Sequence, residues 1–129
     1  MPADWLRLPA TCHHNSAKLM ELARTFAETQ DDSNFMRNKP MLFYLWGHSY
    51  EFDRNDNWAH MEAICQKFAG NEELWFATNI EIYDYVQAYK SLRYSADGHT
   101  VYNPTLLTIW LDADGKPYCI QSGETIRIN

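Results

Sequence analysis

The sequence predicts an α/β fold, with a partial (β/α) barrel-like parallel unit over residues 1–95 and a short antiparallel β meander over 96–129. The two parts are expected to form a single domain. Three observations carry this expectation. The run Met41-Leu-Phe-Tyr-Leu-Trp46 is unbroken and apolar, as a strand buried on both faces of a parallel sheet requires. Segments of helical spacing flank it, giving the order α-β-α-β-α of parallel-sheet proteins. Beyond residue 95 short apolar segments separated by turn residues take over, the pattern of antiparallel strands. A length of 129 residues suits one domain. A closed barrel takes about 250 residues, so the α/β portion reads as the last part of something larger.

Each element follows from local chemistry. Residues 1–15, with Pro2, Pro9 and Thr11-Cys-His-His-Asn15, read as loop. Asn15 or Ser16 can cap a helix running to about Gln30, with Leu19, Leu22, Ala23 and Phe26 on one face. Asp31 to Asn34 and Asn38 to Pro40 form a polar loop before the strand 41–46. Asp56 and Asn57 are suited to cap a second helix, in which Trp58, Met61, Ile64, Cys65 and Phe68 recur at helical spacing and Gly70 supplies the stop. Leu74-Trp-Phe-Ala77 reads as a second strand. Thr78-Asn-Ile-Glu81 has the spacing of a capping box and opens a third helix whose buried stripe is Ile82, Tyr85, Val86, Tyr89 and Leu92. Strands are expected at Val101-Tyr102, Leu106–Leu111, Tyr118–Gln121 and Thr125–Ile128, with Asp112 to Pro117 turning between two of them.

Composition narrows the function classes. Hydrophobic residues make up 46% of the chain and aromatic residues 15%, enough for a substantial core. Eleven Lys and Arg against 17 Asp and Glu leave a net charge of -6. With no basic cluster to meet a phosphate backbone, nucleic acid is not an expected partner. No apolar stretch approaches the roughly 20 residues that span a bilayer, and Met1-Pro-Ala-Asp-Trp-Leu-Arg lacks the form of a secretory signal. No membrane association is therefore expected. Cys12, Cys65 and Cys119 are odd in number and widely spaced, fitting neither a disulfide framework nor a zinc ribbon. A cytoplasmic location is the simplest expectation.

The chemistry gathers where the apolar run ends. Gly47 stops it, and His48, Ser49, Tyr50, Glu51 and Asp53 follow at once. Polar groups just past a parallel strand are where α/β proteins place active sites, and imidazole is the side chain suited to proton transfer near neutral pH. His48 is the candidate catalytic residue. Trp46 and Tyr50 flank it and offer aromatic faces to a sugar ring, whereas Trp58 and Trp75 are expected to be buried. Glu51 and Asp53 form either a carboxylate pair or a loop cap with a residue that orients a neighbour, Glu51 being a candidate substrate contact. Asn79, just past the second strand, is placed to face the same cleft. Cys12, His13 and His14 have ligand chemistry, but adjacent histidines rarely converge on one ion. They read as a loop pair before a helix, with lining of a substrate cleft near His48 left open, and no metal is expected in this chain.

These residues carry a family resemblance. Phe43-Tyr-Leu-Trp-Gly-His-Ser-Tyr-Glu-Phe-Asp53, Asn57-Trp58 and the segment Trp75 to Ala88 resemble the C-terminal part of NodB-like polysaccharide deacetylases, carbohydrate esterase family 4. Leu8 to Asn15 and Asn103-Pro104 are similar to one branch of that family, and the likeness spans about residues 4 to 125. The resemblance implies a distorted (β/α) barrel that removes acetyl groups from amino-sugar polymers, with a zinc-type divalent metal at its strand ends. It implies that His48 is the general acid toward the leaving group. The family's Thr-Phe-Asp-Asp motif and its spaced histidine pair, which supply the base and the metal ligands, have no counterpart here. The expectation is a deacetylase-like protein, inactive alone, whose metal arrives only with the missing half. The alternative is a non-catalytic carbohydrate-binding or partner-dependent module. Acetylated amino-sugar polymer is the expected ligand, and an exposed sheet edge invites a homo-oligomer or a complementing chain.

Overall fold

The structure, a computed structural model, describes residues 4–28 and 40–128. It mixes helices and strands and divides into two compact units, Met1–Trp75 and Phe76–Asn129.

In the first unit a 3₁₀ turn, Trp5–Arg7, is capped by Asp4, whose carboxylate accepts the Leu6 amide at 2.9 Å. Strand β1, Cys12–His13, then pairs in parallel with β2, Leu45–Trp46, with Cys12 opposite Leu45 and His13 opposite Trp46. Residues 1–15 are thus not all loop. The expected strand 41–46 shrinks to its last two residues because a side chain takes over the pairing before them. Thr11 Oγ1 accepts the Tyr44 amide at 2.9 Å and donates to the Leu42 carbonyl at 3.5 Å. Among the described residues, parallel pairing is confined to β1 and β2.

Helix α1, Leu19–Glu28, packs on α3, Trp58–Phe68. Leu19, Ala23, Ile64 and Phe68 bury their side chains between them. Phe26, Phe43 and Phe68 close the cluster, with ring centroids 5.2–6.0 Å apart. Helix α1 starts at Leu19, three positions past Ser16, whose hydroxyl accepts the Lys18 amide at 3.3 Å in the turn that leads into the helix rather than capping it. The expected end near Gln30 and the polar loop at 31–39 lie outside the described residues. A further helix, α2 at Tyr50–Asn55, occupies the stretch read from the sequence as a loop of polar groups. Asp56 ends it in the left-handed conformation, which short polar side chains tolerate, and α3 starts two residues later. Asn57 holds the N-cap position of α3, but its side chain does not cap the helix: Nδ2 donates to Asn15 Oδ1 at 2.9 Å.

Leu74–Ala77 forms no strand, and Trp75, expected to be buried, is exposed together with Phe76. Apolar character alone does not make a strand when no ladder partner is present. Trp58 is also half exposed rather than buried. Its ring covers Phe52 and its indole N–H donates to Asp53 Oδ1 at 2.7 Å, so the polar edge of the ring keeps it at the surface.

The second unit opens with α4, Asn79–Lys90, whose capping box forms as the sequence predicts. The Thr78 amide and hydroxyl donate to Glu81 Oε2 at 2.7 and 2.6 Å, and Thr78 Oγ1 accepts the Glu81 amide at 3.4 Å. The antiparallel strands are β3 (Arg93–Tyr94), β4 (Thr100–Tyr102), β5 (Ile109–Ala113), β6 (Lys116–Ile120) and β7 (Thr125–Arg127). Their order is not a meander. Strand β4 sits between β3 and β7, and the β5–β6 hairpin is a separate excursion between β4 and β7. Asp114 and Gly115 both take positive φ at its tip, the geometry that matches a tight hairpin to the strand twist. Because α4 packs on β5, it groups with the strands, and the chain divides at 75/76 rather than near 95. Ala88, Leu92, Val101, Ile109, Leu111, Ile120 and Ile128 form this core.

Asn103 binds that unit together. Its side chain is fully buried. Nδ2 donates to the carbonyls of Leu107, Ile120 and Gln121 at 2.7–3.1 Å, and Oδ1 accepts the Thr105 amide and hydroxyl at 3.0 and 2.8 Å. A buried amide is tolerated where its donors and acceptor all find partners.

Candidate functional site

Parallel strands end together, and the C-terminal ends of β1 and β2 deliver their next residues to one place. His13 and His14 leave β1, and Trp46, Gly47 and His48 leave β2. The His14 amide donates to the Trp46 carbonyl at 3.0 Å and extends the pairing by one rung. The chain then turns into α2, whose first turn carries Glu51. Glu51 Oε2 lies 3.1 Å from His13 Nε2 and 3.3 Å from His14 Nε2, and it accepts the His48 amide at 3.3 Å. Two imidazoles and the backbone amide of His48 thus converge on one carboxylate oxygen.

The two imidazoles are held differently. His13 Nδ1 accepts the Asn15 amide at 3.2 Å. In the neutral ring this puts the hydrogen on Nε2, which lies 3.1 Å from Glu51 Oε2. His14 is only 2% exposed, and its Nε2 approaches Glu51 without the alignment of a hydrogen bond. Its ring packs against Phe52, with centroids 4.3 Å apart. On another side it meets the backbone of Gly47, where a Cβ would fall 1.7 Å from His14 Nδ1. Glycine is therefore required at 47 for the ring to sit where it does. Burial acts to raise the Glu51 carboxyl, but the His48 amide and the fields of His13, His14 and His48 outweigh it and hold the carboxyl below its ordinary value.

The expected site residues are found as follows. His48 is exposed, its ring stacked on Tyr50 at 5.2 Å and 14° and edge-on to Trp46 at 6.1 Å. Trp46 and Tyr50 are 47% and 60% exposed, so both present aromatic surface to solvent. Trp46 also borders an open cleft of about 440 Å³, lined with it by His14, Tyr44, Leu45, Gly47, Phe52 and Met61. Glu51 stands at the centre of the histidines. Asp53, its proposed carboxylate partner, is engaged by the Trp58 indole. Asn79 begins α4 in the second unit.

No local pattern shows that His13 and His14 meet Glu51. The contact depends on β1–β2 pairing across more than thirty residues, and β1 is too short to show a periodic pattern. Cys12, next in line, faces the core of the first unit, and burial pushes its thiol up, which suits an inert side chain. All three cysteines are free. Among the described residues no helix is long and apolar enough to cross a membrane. Compared with known proteins, the chain matches no family model, no curated protein and no solved structure.

Proposed function

We propose that this chain acts on acetylated amino-sugar polymers in the manner of a NodB-like polysaccharide deacetylase, contributing the sugar-binding surface and the proton-transfer histidine. The observation that supports this reading best is the strand-end group of His48, Trp46 and Tyr50 beside the open cleft that Trp46 lines. Exposed aromatic faces pack on the apolar faces of pyranose rings, and an exposed imidazole between them can reach a substituent on such a ring. When an acetamide is hydrolysed, the tetrahedral intermediate collapses only if the departing amine gains a proton. A positioned imidazolium supplies it, an effect of typically about 10²–10⁴ in rate. Glu51 tethers the His48 backbone through its amide and so positions the residue. The residues that hold the family's metal have no counterpart in this chain.

A non-catalytic sugar-binding module is the second reading, favoured by the exposure of Trp46 and Tyr50. Acetate release from N-acetylated chito-oligosaccharides, measured for the native chain and for His48→Ala, separates the two. Because the chain lacks the family's metal-binding motifs, the deacetylase reading expects release only when a complementing chain that carries them is added, and expects that release to fall by about a hundredfold or more with His48→Ala. Release unchanged by the substitution contradicts it, and binding without release even in the complemented mixture moves the assignment to the second reading.

A further inference from the structure

We propose that His13, His14 and Glu51 form a binding site for one zinc-type divalent cation at the C-terminal ends of β1 and β2, with a coordination position left open to a small ligand. One nitrogen from each histidine and one carboxylate oxygen lie within 4.8 Å of one another. Zinc binds imidazole nitrogen and carboxylate oxygen at about 2.0–2.2 Å, in tetrahedral sites. Donors at such distances stand about 3.3 Å apart along the tetrahedron's edges. The two nitrogen-to-oxygen separations here are 3.1 and 3.3 Å. Two of the three donor separations are thus already those an ion needs, and the third lies within 4.8 Å.

A second observation points to a ligand independently of that spacing. His14 is 2% exposed, and its Nε2 is buried, 3.3 Å from Glu51 Oε2 and without a hydrogen-bond partner. Buried polar atoms are nearly always paired, and a cation between this nitrogen and Glu51 would supply the missing partner. The ring has little freedom to turn away, since Phe52 packs at 4.3 Å and Gly47 leaves no room at Nδ1. Glu51 is steadied by the His48 amide, the kind of outer contact that orients ligating carboxylates.

The donor set decides the class of ion. Two imidazoles and one carboxylate suit zinc and its first-row neighbours better than calcium or magnesium, which prefer oxygen alone. Three protein ligands with a vacant fourth position is the arrangement of catalytic rather than structural zinc. Among the described residues no fourth His, Cys, Asp or Glu joins the group. Adjacent histidines converge here because β1 ends at His13 and His14 already lies in the following turn. The alternation that sends neighbouring strand residues to opposite faces stops at that point.

Loading has a chemical consequence. His13 Nε2 carries a hydrogen while Nδ1 accepts the Asn15 amide. A metal bond to Nε2 requires that hydrogen to move to Nδ1, and the Asn15 amide then loses its acceptor.

The test uses the chelator-treated chain. Zn²⁺ is titrated by calorimetry, Co²⁺ by visible absorption, and the Asn15 amide is followed by NMR. One equivalent should bind, giving the absorption of low-coordinate cobalt and shifting the Asn15 amide. Glu51→Gln and His13→Gln should weaken binding by roughly a hundredfold or more, with circular dichroism confirming the fold. His60→Ala and His99→Ala should leave it unchanged. The proposal is overturned if binding does not saturate, or if Glu51→Gln binds as the native chain does. It stands apart from the deacetylase reading: one bound cation without acetate release sustains it.

Discussion

Gly47→Ala is the substitution that tests most sharply how the site is held, because it alters the site without removing any side chain from it. The added Cβ would sit 1.7 Å from His14 Nδ1 and 2.4 Å from its Cε1, whereas ordinary contact begins at 3.4 Å. The imidazole must therefore retreat by about as much again. It has no room to do so, being 2% exposed and backed by the Phe52 ring. Forcing extra volume into a packed site typically costs about 1–3 kcal/mol. The upper end applies here, because the clash is with a buried ring rather than the free end of a flexible chain. Urea unfolding followed by tryptophan fluorescence should show a loss of about 3 kcal/mol. NMR should show the His14 imidazole resonances displaced while those of the second unit stay in place. A loss below about 0.5 kcal/mol, the range of ordinary surface substitutions, with unmoved His14 resonances would refute the packing argument.

Three further outcomes are expected. Asn103→Ala removes an amide that donates to three carbonyls and accepts from Thr105; at about 1 kcal/mol per hydrogen bond it should lower stability by roughly 2–4 kcal/mol in denaturant titration. Phe43→Ala opens the Phe26–Phe43–Phe68 cluster and should cost about 3–5 kcal/mol in the same assay. Hydrogen bonds from the Thr78 side chain and amide hold the Glu81 carboxyl below its ordinary 4.5. A carboxyl lowered in the folded state adds stability above its unfolded value and loses it as pH falls through the lowered one. Glu81→Ala should therefore speed amide exchange in the first turn of α4 at neutral pH, and the difference from the native chain should close below about pH 4.5.

What the sequence made legible was local. The Thr78/Glu81 capping box, the helical spacing of Leu19, Ala23 and Phe26 in α1 and a turn within Asp112–Pro117 depend on residues a few positions apart, and each forms; of the stripe read for α3, Ile64 and Phe68 are buried while Trp58 and Cys65 are exposed. Helix α2 was hidden because six residues, Tyr50–Asn55, are too few for a periodic pattern. Leu74–Ala77 misled because an apolar run carries no information about its partner strand. Trp58 misled because its helical spacing said nothing of the Asp53 carboxylate that draws its indole outward. The site was half visible: His48, Trp46 and Tyr50 follow one strand and could be grouped from sequence. The meeting of His13, His14 and Glu51 rests on a parallel pairing between distant segments, which no local pattern encodes.

The measurement that bears most directly on the proposed function is an NMR titration of the chain with an N-acetylated chito-oligosaccharide. Saturable shifts gathered at residues 13–14 and 44–52, and lost in Trp46→Ala, are the predicted result. Shifts absent at saturating sugar, or confined to residues 76–129, would contradict the account.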